Sequence, residues 1–171
     1  MGVGMCPRPS RWIVPTSSAA SCSPAPAGGV PNQPPQPEKV GQVSTRPTLE
    51  DEDYLYLFFP ETDAARAAGL ASLRRLDYRV HRSHAEVTLE QVIAQTAAIR
   101  TCAGLWGRVP ELELPVLVAN GAHDVMVHAY ASCAMSQRLP DGKVVLYSDA
   151  GHAFLFQHHQ DFAREVLEFL R

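Results

Sequence analysis

Apolar positions along the chain change pattern twice. Residues 1–47 hold one short apolar run, Trp12-Ile13-Val14, within a stretch of Pro, Ser, Ala and Gly that contains ten of the fourteen prolines. Such a segment cannot bury enough surface to offset its ordering entropy, so it is expected to be irregular as far as a boundary at Pro47-Thr48. From 48 to 107 the spacing turns helical. One helix is predicted around Tyr54 to Phe59, and a second from Asp63 to Tyr78, where Ala67, Leu70, Leu73 and Leu76 recur every third residue and Thr62 stands as the cap. A third is predicted from Leu89 to Trp106, because Thr88 and Gln91 have capping-box spacing and Val92, Ala98 and Ile99 favour one face.

After 108 the grammar is that of an α/β unit. Pro115-Val116-Leu117-Val118-Ala119 and Val144-Val145-Leu146-Tyr147 are short continuous apolar runs, the pattern of strands buried on both faces. Between them Ala129 to Leu139 suits a helix, with Pro140-Asp141-Gly142 as the turn. A last helix is predicted over 161–170, with Phe162, Ala163, Val166, Leu167 and Leu170 on one face and Asp161 in the first turn. A right-handed crossover makes the two strands parallel, so the loops after both open at one carboxyl edge, where open α/β sheets place their sites.

Charge and cysteine usage narrow the partners. The chain has 15 basic and 18 acidic residues and no basic block to follow a phosphate backbone, which argues against nucleic acid. Cys6, Cys22, Cys102 and Cys133 stand far apart with no CxxC pair, so reduced thiols are expected. The N-terminal stretch lacks the apolar run of a signal peptide or membrane helix, and the expectation is a cytoplasmic protein without a membrane partner.

Two residues stand where chemistry belongs. Asp124 follows the end of the first strand by four residues, and His152 follows the second by five, so both are placed on loops above neighbouring strand ends. A carboxylate bonded to the imidazole Nδ1–H fixes the tautomer and stabilises the imidazolium formed when Nε2 takes a proton. Taken singly, Asp124 suits a turn-forming carboxylate bonded to backbone amides, and His152 a histidine tied to a carbonyl. His81, His84, His158 and His159 accompany no metal-ligand spacing and read as solvated side chains. Phe58, Phe59, Leu70 and Leu73 read first as helix packing and second as the lining of an acyl pocket.

The segment LPVLVANGAHD, 114–124, resembles the α/β-hydrolase strand and loop that end in the catalytic acid. VVLYSDAGHAFLFQHHQDFAREVLEFL, 144–170, is similar to that family's final strand, catalytic histidine and closing helix. Residues 49–107, with EDEDYLYLFFPETDAARAAGLASLRRL, resemble the helical cap of bacterial members. The resemblance implies an α/β fold made of the C-terminal part of an α/β-hydrolase, with an irregular segment at 1–47, a cap at 48–107 and the core unit at 108–171. It implies Asp124 as acid, His152 as base, an ester or similar acyl substrate if the fold is completed, and no metal or organic cofactor.

Two residues of the acid loop depart from the family pattern, His123 where a small polar residue is commoner and His128 where proline is frequent. The larger departure is upstream. The family's nucleophile sits in a G-x-S-x-G elbow, and no serine here has that frame. Gly4-Met5-Cys6-Pro7-Arg8 imitates it, but three residues before Gly4 are too few for a strand and Pro7 has no N–H for an oxyanion, so Cys6 is rejected. Pro24 to Pro31, with Gly28-Gly29, is weakly similar to the segment after the family's sixth strand. The expectation is a truncated hydrolase without a nucleophile. The rival is a non-catalytic remnant or interaction module, and a sheet short of strands implies self-association through its exposed edge.

Overall fold

A computed structural model describes residues 12–15, 30–46, 48–83, 88–101 and 106–171. Its sheet is parallel with strand order β1-β2-β3, formed by Trp12–Pro15, Val116–Gly121 and Gly142–Tyr147. β1 runs beside β2 from Trp12↔Val116 to Pro15↔Ala119, and β2 beside β3 from Val116↔Gly142 to Gly121↔Tyr147. The strands therefore begin level, and the loops after β2 and β3 leave the same edge.

The helices are α1 (Glu38–Ser44), α2 (Asp51–Phe58), α3 (Asp63–Ser83) and α4 (Leu89–Thr101), then α5 (Ala129–Ser136), α6 (Phe154–Gln157) and α7 (His159–Phe169). A 3-10 turn at Trp106–Glu111 precedes β2. The local cap signals act as read. Ala65 N–H donates to Thr62 Oγ1 at 3.2 Å, and Thr88 and Gln91 exchange bonds of 2.9 and 3.3 Å. Among the described residues no helix is long and apolar enough to cross a membrane.

β2 is buried along its whole length because both of its faces are covered. Val116 and Val118 pack with Val109, Met135 and Leu139 on the α5 side, while Ala119 joins Tyr147, Ala150 and Phe154 on the other. The alternation is the period of two that a pleated strand imposes. β3 departs from the expected buried strand. Only Tyr147 is buried, and Leu146 is 40% exposed, because β3 has β2 as its one neighbour among the described residues. A salt bridge of 2.7 Å from Lys143 to Glu165 ties it to α7 and holds the Lys143 ammonium above its ordinary pKa.

The segment 1–47 also corrects the reading of it as irregular throughout. Residues 12–15 form a strand through pairing with β2, and 38–44 form a helix whose Val40 and Val43 are buried against Leu57. Cys6 and most of the Pro24 to Pro31 segment lie outside the described residues, as do the side chains of His81, Val92 and Ile99 and the whole of His84. Helix α4 is described to Thr101, short of Trp106, which lies in the 3-10 turn.

α2 and α3 form a layer above the carboxyl edge. Leu55, Phe59 and Ala65 pack together with Ala153 from the loop after β3, and Phe58, Leu70 and Leu73 close around them. Of the two readings of Phe58, Phe59, Leu70 and Leu73, packing is the one observed. α2 opens with a capping box in which the Glu50 N–H donates to Asp53 Oδ2 at 3.1 Å. That bond, with Arg46 beside it, holds the Asp53 carboxyl below its ordinary pKa against the opposing effect of burial.

Candidate active site

The loop after β2 builds a fixed carboxylate. Asp124 Oδ1 accepts the N–H groups of Met126 and Val127, both at 2.8 Å, which closes an Asx-type turn, and the carboxylate side chain is 1% exposed. Asn120, wholly buried at the end of the apolar run, braces the turn from below. Its Nδ2 donates to the Val127 carbonyl at 2.9 Å and its Oδ1 accepts Gly121 N–H at 2.8 Å. With Oδ1 occupied, Oδ2 is the oxygen left to face outward.

What it faces is His152. Nδ1 of the imidazole lies 2.8 Å from Asp124 Oδ2. Because the carboxylate can only accept, Nδ1 carries the proton and donates it, which leaves Nε2 as the basic nitrogen. No hydroxyl or thiol among the described residues bonds to Nε2. The ring is largely buried and lies 5.4 Å, centre to centre, from Phe58, which in turn stacks on Tyr54.

The two loops are pressed together by glycine. A Cβ on Gly121 would stand 2.2 Å from the Gly151 carbonyl oxygen, and one on Gly151 would stand 2.9 Å from that of Phe58. Neither backbone could approach so closely with a side chain present. Ala122 N–H reaches the Tyr147 carbonyl at 2.9 Å, and His123 N–H that of Ala150 at 3.0 Å, so the ladder between β2 and β3 continues into the loops. Ala153 N–H donates to the Phe58 carbonyl at 2.9 Å and fastens the histidine loop to the end of α2.

Asp124 and His152 are thus brought together, and the other histidines among the described side chains are not drawn into their site. His123 is exposed, and His128 precedes α5 with a buried Nε2 that has no partner among the described residues. His158 Nε2 pairs with Asp149 at 2.9 Å, and His159 is exposed. The bracing roles of Asn120 and Gly121 escaped the sequence reading, as did the contact of Phe58 with His152. The Asn-Gly pair closing an apolar run was the available signal for the first two, whereas the Phe58 contact is purely tertiary.

A cavity of about 380 Å³ lies between α1, α2 and the start of α3. Val43, Leu55 and Phe59 line it with the ion pairs of Arg46 to Asp53 and Arg66 to Glu52, and neither Asp124 nor His152 contributes.

No protein-family model matches the chain, and no curated protein matches it. Solved structures do. An alpha/beta hydrolase fold protein from Chitinophaga pinensis superposes with a TM-score of 0.63 at 27% identity, over 80% of this chain and 52% of that one. A meta-cleavage product hydrolase from Pseudomonas fluorescens gives 0.59 at 18%, over 83% and 53%. An esterase from Exiguobacterium antarcticum gives 0.59 at 12%, over 94% and 57%. The chain spans about half the length of these proteins. Parallel strands, a helical layer above their carboxyl edge and this agreement over most of the chain carry one conclusion: the chain has the α/β-hydrolase fold and comprises part of it.

Proposed function

We propose that Asp124 and His152 are the acid and base of a Ser-His-Asp hydrolase of esters or similar acyl substrates, whose nucleophile and oxyanion donors belong to a part of the fold that these 171 residues do not contain. The observation that carries the reading is the 2.8 Å bond from His152 Nδ1 to a carboxylate whose other oxygen is already held by two backbone N–H groups. That arrangement orders a base and does nothing else so well.

In the reaction so proposed, Nε2 takes the hydroxyl proton as the oxygen attacks the acyl carbon, and Asp124 stabilises the imidazolium. The same proton passes to the departing alcohol oxygen as the ester bond breaks. Nε2 then takes a proton from water, the water oxygen attacks the acyl-enzyme, and the returned proton frees the nucleophile. Atoms and charge balance over the two halves, and the chain's own residues supply every proton transfer.

The test is to extend the reading frame upstream of the Met1 codon and express the longer protein. We expect a G-x-S-x-G elbow in the extension and turnover of p-nitrophenyl acetate or butyrate, with Asp124→Asn lowering kcat by on the order of 10⁴ and His152→Ala by at least as much. An upstream frame without an elbow, or turnover indifferent to both substitutions, would refute the reading.

A further inference from the structure

Three residues before His152, its loop is gripped from below by side chains that the proton transfers do not use. Asp149 is held twice, because its carboxylate accepts a bond from His158 Nε2 at 2.9 Å and its backbone carbonyl accepts one from Gln157 Nε2 at 2.9 Å. His158 stands at the junction of α6 and α7, closing one and opening the other, and its ring lies flat on Tyr147 at 4.8 Å and 11°. Tyr147 is anchored in turn. Its hydroxyl donates to Asp161 Oδ2 at 3.1 Å, and Arg164 bonds to the other oxygen of Asp161. A continuous path therefore runs from α7 through Tyr147 and His158 to the loop that presents His152.

We infer that His158 and Asp149 are positioning residues, a second histidine–aspartate pair that sets the loop carrying His152 so that its imidazole meets Asp124. The inference rests on the reading of His152 as the base. Its physical reason is the demand for placement, since a side chain on a loop must be held within about half an ångström and 10–20° to work with its partner, and Ser148 and Asp149 lie between the backbone bonds that Tyr147 and Ala150 make to the acid loop. The 147–150 turn has one backbone bond of its own, Ala150 N–H to the Tyr147 carbonyl at 3.3 Å, which is long. The grip on Asp149 lies beside that weak point. Although Asp149 is 66% exposed and an isolated surface pair contributes little to global stability, a ring fixed by stacking loses little freedom on pairing. The effect is local.

The experiment uses the 171-residue chain and needs no turnover. The Nδ1 proton of His152 shared with Asp124 gives a far-downfield proton resonance, assigned by its loss in Asp124→Asn, and backbone hydrogen exchange reports the loop. In His158→Ala and in Asp149→Ala we expect exchange over residues 149–153 to rise about fivefold and the resonance to broaden, with the thermal midpoint unchanged. In His158→Gln, whose amide nitrogen reaches about as far as Nε2, we expect both readouts to return toward the wild type. An unaltered resonance and exchange rate in both alanine variants would overturn the inference, as would faster exchange spread evenly over the chain. Failure of the extended enzyme to turn over would refute the catalytic reading without changing these spectra, so the two claims fail separately.

Discussion

The loops that follow β2 and β3 reach the same place by different means. The Asp124 carboxylate takes its backbone bonds from within its own loop, although Val125 and Met126 of that loop also pack against α1 and α2. Asp124 is fixed by N–H groups two and three residues further along, and Asn120 braces that turn from the strand just before it. The histidine loop borrows its order. It is held by the acid loop through His123, by α2 through Phe58, and by the α6–α7 junction through His158 and Gln157. The lesson concerns where a defect would be felt. The backbone bonds to the Asp124 carboxylate come from residues two and three positions on, whereas the loop of His152 is fastened to Phe58, almost a hundred residues away.

The largest effect should come where the loops touch. Gly121→Ala puts a Cβ 2.2 Å from the Gly151 carbonyl, with backbone on both sides, and should cost about 3 kcal/mol in urea denaturation as the loops are forced apart. Gly151→Ala meets the Phe58 carbonyl at 2.9 Å and should cost about 1 kcal/mol, since α2 can retreat slightly. Equal costs would mean that the two contacts are equally rigid and would erase the distinction drawn above.

Asp124→Ala comes next, at about 2 kcal/mol, because it leaves the Met126 and Val127 N–H groups without their acceptor. Asp124→Asn should cost less than half of that in stability, since an amide oxygen still accepts both bonds. If the two substitutions prove equally destabilising, the turn depends on charge rather than on acceptor geometry.

The smallest effect is pH-dependent and lies in α2. Asp53 is held below its ordinary pKa, first by the Glu50 N–H and then by Arg46. A depressed carboxyl contributes stability above its unfolded pKa of about 4 and loses it as pH falls through the folded value. The gap in thermal midpoint between wild type and Asp53→Asn should therefore be widest near neutral pH and close below about pH 4. A gap that persists in acid would show that the cap acts by shape alone.

What could be read from the residues was what is local. Thr62, Thr88 and Gln91 act within a single turn, and the spacing of Asp124 and His152 from their strand ends needs only the knowledge that adjacent parallel strands finish together. β1 was illegible for the opposite reason. Trp12-Ile13-Val14 is too short for any periodicity to show, Pro15 follows it directly, and the partner that makes it a strand begins about a hundred residues later at Val116. Helix α1 is likewise defined by burying Val40 and Val43 against Leu57 rather than by a pattern of its own. β3 carries the apolar run of a central strand yet stands at the edge of the sheet that the described residues form, because strand order is a property of the sheet and not of the segment.

The most direct test of acid and base in this chain with the nucleophile elsewhere is turnover by the 171 residues alone. Purified chain should neither hydrolyse p-nitrophenyl butyrate above the rate of a His152→Ala control nor form a covalent adduct with a fluorophosphonate probe, because Nε2 has no hydroxyl against it among the described residues and no G-x-S-x-G frame exists in the sequence. Turnover that depends on His152, together with a labelled serine within these 171 residues, would contradict the account.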